Sequence, residues 1–243
     1  MTAVSARFVL AAAVVLGPAT VSAQTLDEIV ARHLAARGGR EALAAVRTLR
    51  MSGRAIAGPG REAIVRREIA RPGRIRTEFV FQGTTGVYVW DGSTGWSVSP
   101  LDGSLEPEPL SATAAALSAE QADFEGPLVD WKAKGHALEL VGTSALPGGP
   151  AHELKVTLKS GVVRRLWIDA KTGLVVRTES ARTLRGHELV FETVYGDYHE
   201  TGGVRFARSI ETGVKGRPRR LRILVESVET NPTLDASRFS APR

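Results

Sequence analysis

The chain predicts an α+β fold made mainly of antiparallel strands, a curved sheet of about ten or eleven strands with helices covering its concave face. Three observations carry that prediction. From Leu49 onward, apolar residues recur at a period of two. Turn-forming clusters interrupt those runs at short intervals, as at Asp91-Gly92-Ser93-Thr94-Gly95. Helical spacing is confined to the start of the chain and to one insertion between Leu110 and Gly135.

Residues 1–23 have the three-part layout of a secretory signal peptide. Arg7 gives a positive start, Phe8 to Gly17 an apolar run, Pro18 a break, and Val21-Ser22-Ala23 the small residues a signal peptidase accepts. An α-helix of about ten residues reaches only about 15 Å, half of a bilayer core. Gln24 is therefore the expected mature N-terminus, and residues 24–243 are expected to form a single domain.

Thr25 and Glu28 have the spacing of a capping box, in which each side chain satisfies a free backbone N–H. Leu26, Ile29, Val30, His33 and Leu34 then recur at helical spacing up to Gly38-Gly39, and Leu43 with Val46 suggests a second short turn of helix. In the strand region Ile75, Thr77, Phe79 and Phe81 share one face, opposite Arg74, Arg76 and Glu78. Tyr88 and Trp90 lead into the Asp91–Gly95 turn, and Trp96 and Val98 begin the return strand. The construction recurs around Asp169-Ala170-Lys171-Thr172-Gly173 and again at Thr201-Gly202-Gly203. Within the insertion, Ser111 caps an alanine-rich helix running through Leu117 to Ala122. Gly126-Pro127 opens a second short helix with Leu128, Val129 and Trp131, stopped by Gly135.

The 243 residues include no cysteine. An exported chain without disulfides depends on its core, or on a ligand that fills it. No cysteine follows the signal to carry a lipid anchor, and no later apolar stretch is long enough to span a membrane. The expected location is the periplasm. The net charge of +6 is supplied mainly by arginines that alternate with apolar residues, as in Arg74-Ile75-Arg76, which places them on a solvated face. The densest cluster, Lys215, Arg217, Arg219, Arg220 and Arg222, surrounds a turn at Gly216 and Pro218. It reads either as a solvated hairpin or as a docking patch for an acidic partner or a lipid headgroup. Nucleic acid is excluded as a partner, because neither interleaved aromatic residues nor a groove-reading helix accompanies the charge.

Catalytic constellations are missing. The five histidines (33, 136, 152, 187, 199) are scattered, with no metal-ligand spacing. Ser93 lies in a hairpin turn, and Asp123 with Glu125 is explained by the preference for acidic residues at a helix start. The sequence implies no metal, no cofactor and no enzyme. What it does hold is a set of large apolar residues on strands: Ile75, Phe79, Phe81, Tyr88, Trp90, Trp96, Trp167, Phe191 and Phe206. They line an apolar cavity if the helices fit loosely, or a dry core if they fit closely. Alternation alone does not choose between the two.

Four stretches carry a resemblance to a known family: EIVARHLAARGGREALAAVRTLRMSGR, VYVWDGSTGWSVSP, ADFEGPLVDWKAKGHALELVG and NPTLDASRF. Together they make the mature chain resemble the periplasmic outer-membrane lipoprotein-sorting proteins, LolA/LolB-like, as a divergent branch. The resemblance implies an incomplete, half-open β-barrel closed by a helical lid over a hydrophobic cavity. It further implies an acylated lipoprotein or lipid as cargo, taken from an inner-membrane donor to an outer-membrane acceptor. The missing anchor cysteine fits a soluble carrier rather than a membrane-anchored acceptor. The alternative on the same fold is a lipid-sensing module that reports to a membrane partner.

Overall fold

The computed structural model describes residues 24–184, 186–218 and 220–242. The expected signal peptide and Arg219 lie outside the described residues. Two helices open the chain, α1 (Leu26–Ala36) and α2 (Gly39–Ala45). The capping box forms: Thr25 Oγ1 accepts from the Glu28 N–H at 3.3 Å, and the Glu28 carboxylate accepts from the Thr25 N–H at 2.8 Å.

Six strands follow: β1 (Thr48–Ile56), β2 (Glu62–Ala70), β3 (Arg74–Phe81), β4 (Thr84–Trp90), β5 (Gly95–Ser99) and β6 (Ser104–Pro109). Then comes α3 (Ala112–Ala122), whose Ser111 cap accepts from the Ala114 N–H. Seven strands complete the chain: β7 (Ala137–Leu146), β8 (Gly149–Thr157), β9 (Val163–Asp169), β10 (Val175–Leu184), β11 (His187–Thr201), β12 (Val204–Val214) and β13 (Arg220–Thr230). All thirteen form one antiparallel sheet in the order β6-β5-β4-β3-β2-β1-β13-β12-β11-β10-β9-β8-β7. The count exceeds the expected ten or so, and β6 shows why. Its sequence, Ser-Leu-Glu-Pro-Glu-Pro, does not read as a strand, yet proline is tolerated at a sheet edge.

Aspartates close the turns. The Asp91 carboxylate accepts from the N–H groups of Ser93 and Thr94 at 2.7 Å each and from both hydroxyls. Burial opposes its charge, but these bonds prevail and hold its pKa at about 2. Asp169 accepts from the N–H groups of Lys171 and Thr172 in the same way. The second short helix expected around Leu128–Trp131 does not form. Residues 127–135 make successive turns, because Gly126 and Asp130 adopt left-handed conformations, φ 86° and 49°, that end helix propagation.

The helices and widely separated strands share one buried cluster. Ile29, Val30 and Leu34 of α1, Leu43 of α2 and Ala122 of α3 meet Leu49 of β1, Ile75 of β3, Leu154 of β8, Ile168 of β9 and Phe206 of β12. Strands so far apart in the sheet order reach one cluster only if the sheet curls, so the helices occupy its concave face. β6 and β7, the two ends of the order, are not paired with each other. The barrel is half-open, and α3 with the turns after it connects the two edges.

The convex face departs from the bare, solvated surface expected for the alternating arginines. Ion pairs cover it, some between neighbouring strands and some not: Arg50 and Arg238 meet Glu68, Arg177 meets Glu192 at 2.8 Å and Lys215 meets Glu179 at 2.9 Å, while Arg76 pairs with Glu78 along β3 at 2.7 Å. The C-terminal segment lies across part of this face. Phe239 is buried there with Ala70, Val87 and Val89, beneath the Arg74 guanidinium at 5.2 Å from its ring.

β1 and β13 pair from Leu49↔Thr230 to Ile56↔Arg222, with a register shift between Ser52 and Gly53. At that shift the strands approach so closely that a Cβ on Gly53 would lie 1.9 Å from the Leu224 carbonyl oxygen. Gly53→Ala is therefore expected to lower stability by about 1–3 kcal/mol. A urea midpoint unchanged from wild type would refute it.

His33 supplies a second test. Its Nδ1 lies 2.9 Å from the Gly173 carbonyl oxygen, which only accepts, so Nδ1 carries the proton. Burial pushes its pKa down to about 4; the Gly173 bond opposes this and Arg37 adds to it. Between about pH 6.5 and 4 the unfolded chain takes up a proton that the folded chain does not. Melting temperature is thus expected to fall as pH drops through that window. His33→Asn, whose amide still donates to Gly173, should flatten this part of the profile; an unaltered slope in the variant would refute the assignment.

Candidate functional site

The turns after α3 form a lid over one end of the concave face. Leu128 and Val129 plug into the core, 1% and 3% exposed, with Phe124 and Trp131 packed beside them. Polar contacts pin the rest. Arg71, in the β2–β3 turn, donates from Nε to the Val46 carbonyl at 2.8 Å and from Nη2 to the Leu43 carbonyl at 3.1 Å. The same guanidinium meets the Glu125 carboxylate at 2.6 and 3.0 Å, and its Cζ lies 5.0 Å from the centroid of the Phe124 ring. Arg37 donates to the carbonyls of Phe124, Glu125 and Arg205 at 3.3, 3.4 and 3.0 Å. Burial pushes the Arg37 pKa down while Tyr198, Glu125 and Asp123 push it up; a guanidinium stays charged throughout. Arg40 pairs with Asp130, and Lys134 with Asp123 at 2.6 Å. Each of these cations stands outside the short segment it holds, except Lys134, which closes the segment on itself.

Beside the lid lies a cleft of about 1140 Å³, bounded by α3, the β2–β3 turn and the β8–β9 turn. Its helical wall is Ala116, Ala119 and Glu120, spaced so that they share one face of α3, with Ala122 and Asp123 where the helix ends. Alanine is the reason the space exists: α3 packs on β3 and β4, but methyl side chains do not reach across to the far wall. Phe124, Pro127 and Leu158 add apolar surface. The three acids at the cleft are matched, Glu120 by Arg164 and Arg182, Asp123 by Lys134, and Glu125 by Arg71. Arg47 and Lys159 also line it and have no carboxylate partner among the described residues, which leaves the cleft cationic.

The apolar candidates divide between the two faces. Ile75 and Trp90 pair across β3 and β4 and belong to the core, as does Phe206. Phe79, Phe81 and Tyr88 share the parity of Ile75 and Trp90; the rings of Phe79 and Tyr88 meet edge-to-face with centroids 6.3 Å apart. Phe191 pairs with Ser180 on the same concave side, with Arg182 over its ring at 5.9 Å. Trp96 and Trp167 face away from the helices. Trp90 pairs with Gly95, so Trp96 points with Val89 to the convex side. Trp167 lies between the core residues Leu166 and Ile168 and is covered by Arg177 at 4.5 Å. None of the nine lines the cleft beside α3.

In the basic cluster, Lys215 pairs with Glu179, and Arg220 with Glu192 at 3.0 Å and Glu211 at 2.6 Å. Arg217 and Arg222 have no carboxylate partner among the described residues. Among those residues no three His, Asp or Glu side chains group as metal ligands, and no helix is long and apolar enough to cross a membrane. The lid-holding residues Arg37, Arg40 and Arg71 were not singled out from the sequence; nothing in an arginine's neighbours along the chain announces a carbonyl far away.

No family model and no curated protein sequence matches the chain. Solved structures do match its fold. A LolA superfamily protein from Nitrosomonas europaea superposes with a TM-score of 0.57 at 14% identity, covering 88% of this chain and 97% of the other. An outer membrane lipoprotein-sorting protein domain from Vibrio parahaemolyticus gives 0.58 at 12% identity, covering 88% and 95%. A DUF1329 family protein from Desulfovibrio piger gives 0.58 at 12% identity, covering 88% and 96%. The half-open sheet with its helices on the concave side is thus the fold of LolA-superfamily proteins and outer-membrane lipoprotein-sorting domains, in a divergent form.

Proposed function

We propose that this chain is a soluble periplasmic carrier that takes the acyl chains of a lipoprotein, or of another lipidated cargo, towards the outer membrane. The observation that carries this reading is the lid, a segment held largely by arginine contacts to carbonyls and carboxylates, beside a cleft that an alanine-faced helix leaves unfilled. Each buried methylene is worth about 0.8 kcal/mol, so a ten-methylene stretch supplies about 8 kcal/mol gross. Charge-assisted hydrogen bonds contribute about 1.5–3 kcal/mol each. Loosening the contacts of Arg37 and Arg71 is therefore comparable with the gain from burying one acyl chain. Closed-empty and open-loaded states then lie close in free energy, as reversible loading requires.

The direct test is native mass spectrometry of the chain purified from a bacterial periplasm without detergent. An added mass that fragments to acyl chains is expected. A bare mass that does not shift when lipid or acylated peptide is supplied would overturn the reading. Two variants localise the site. Ala119→Trp, which fills the cleft from its exposed helical stripe, should weaken binding of a fluorescent acyl probe at least tenfold without lowering the melting temperature. Arg71→Leu should speed release of a bound probe severalfold by freeing Glu125 and the end of α2. Wild-type release in Arg71→Leu would remove the lid from the mechanism.

A further inference from the structure

Four arginines stand on the concave face with one carboxylate between them. On β2, Arg67 lies between Val65 and Ile69, both buried, and shares their face. On β12, Arg208 follows the core residue Phe206 by two. Arg164 precedes the core residue Leu166 by two on β9, and Arg182 follows Arg164's partner Ser180 by two on β10. Glu120 of α3 satisfies Arg164 and lies 3.7 Å from Arg182. No carboxylate of the described residues reaches Arg67 or Arg208. The Nε atoms of Arg67, Arg164 and Arg208 and the Ser180 hydroxyl are sealed from water without a hydrogen-bond partner.

Such an arrangement is costly as it stands. An uncompensated charge inside a protein costs several kcal/mol, and a guanidinium does not escape by losing its proton. Burial does push the Arg67 pKa below the usual guanidinium range, with only Tyr195 opposing. Tyr195 also acts on Arg182, so it stands within electrostatic reach of both arginines. Along the sheet, Thr77 pairs with Arg67 on one side and with Tyr88 on the other, which sets two hydroxyls in the row beside the guanidinium. The same face carries Phe79 and Phe191. An unmatched guanidinium beside aromatic surface suits a negative group that carries apolar surface with it.

We infer that the concave face holds an anion site, centred on Arg67 with Arg208, Thr77 and Tyr195, that takes the phosphate or carboxylate head of an acidic amphiphile whose chain lies along Phe79 and Phe191. This rests on the carrier reading and narrows it, since the cargo must then be acidic as well as acylated. A neutral acyl compound leaves the arginines unmatched, and a small free anion leaves the aromatic wall uncovered.

The test measures displacement of a neutral fluorescent acyl probe from the purified chain at pH 7.5 by hexadecanol, hexadecanoic acid and hexadecyl phosphate. The acidic compounds are expected to bind at least tenfold more tightly than the alcohol. Arg67→Met should reduce that ratio below twofold while holding or raising the melting temperature, because it removes an unmatched charge. Arg208→Met carries the same test if Arg67→Met does not fold, and Arg61→Met, in the β1–β2 turn, is the control that keeps the ratio. Equal affinity for acid and alcohol in the wild type overturns the anion site and leaves the carrier reading standing. Failure of the probe and of all three compounds to bind overturns the carrier reading itself. A wild-type ratio retained in Arg67→Met and Arg208→Met also overturns the site. Inorganic phosphate that raises the melting temperature as much as hexadecyl phosphate, and does so through Arg67, identifies a free anion as the occupant and overturns the amphiphile.

Discussion

Everything in this structure depends on the pairing of its first strand with its last. β1 and β13 lie at opposite ends of the sequence, yet their ladder joins the meander β1–β6 to the meander β7–β13. Each meander alone is a string of hairpins with one apolar face and nothing to cover it. Joined at the middle, they curl far enough to enclose α1, α2 and α3. Contacts between the N-terminal helices and the second meander follow from that closure, among them His33 to Gly173 and Arg37 to Arg205. The crowding of Gly53 against Leu224 is the local cost of bringing the strands so close.

Curling also divides the concave face into two environments. At the helical end, aliphatic side chains from α1, α2, β1, β8, β9 and β12 pack into a dry cluster. Farther along the same strands, arginines replace them, and aromatic rings lie between the arginines. The lid and the α3 cleft sit between these environments. Glu120 belongs to both, lining the cleft while it meets Arg164 and Arg182. Positive charge thus runs from the mouth of the cleft, at Arg47 and Lys159, inward to Arg164.

Local chemistry made much of the fold readable. The Thr25 capping box, the Ser111 cap and the aspartate-closed turns at 91 and 169 depend only on residues a few positions apart, and all four formed. What failed depended on distance. Period-two alternation shows that neighbouring side chains face opposite ways but not which way is inward, so Trp96 and Trp167 were grouped with residues of the other face. The regular alternation of arginines likewise suggested solvent, although many convex arginines are tied into ion pairs and several others point inward. One signal was present and unread. Arg66-Arg67 and Arg164-Arg165 are consecutive arginines within strands, and two adjacent strand residues cannot both face outward. Partners of Arg37 and Arg71, by contrast, lie up to 168 residues away in the sequence, beyond any local pattern.

The edge strand β6 has a consequence for the protein among its neighbours. A half-open sheet exposes a row of backbone groups at each border to every other unfolded or extended chain around it. β6 answers with Pro107 and Pro109, which have no N–H to offer, and with Glu106 and Glu108 between and beside them. β7, at the far edge, is broken by the register shift between Leu140 and Gly142. Neither border is a template on which a foreign strand extends the sheet. The sheet thus stays open while edge-to-edge stacking is opposed by composition at one border and by an irregular ladder at the other.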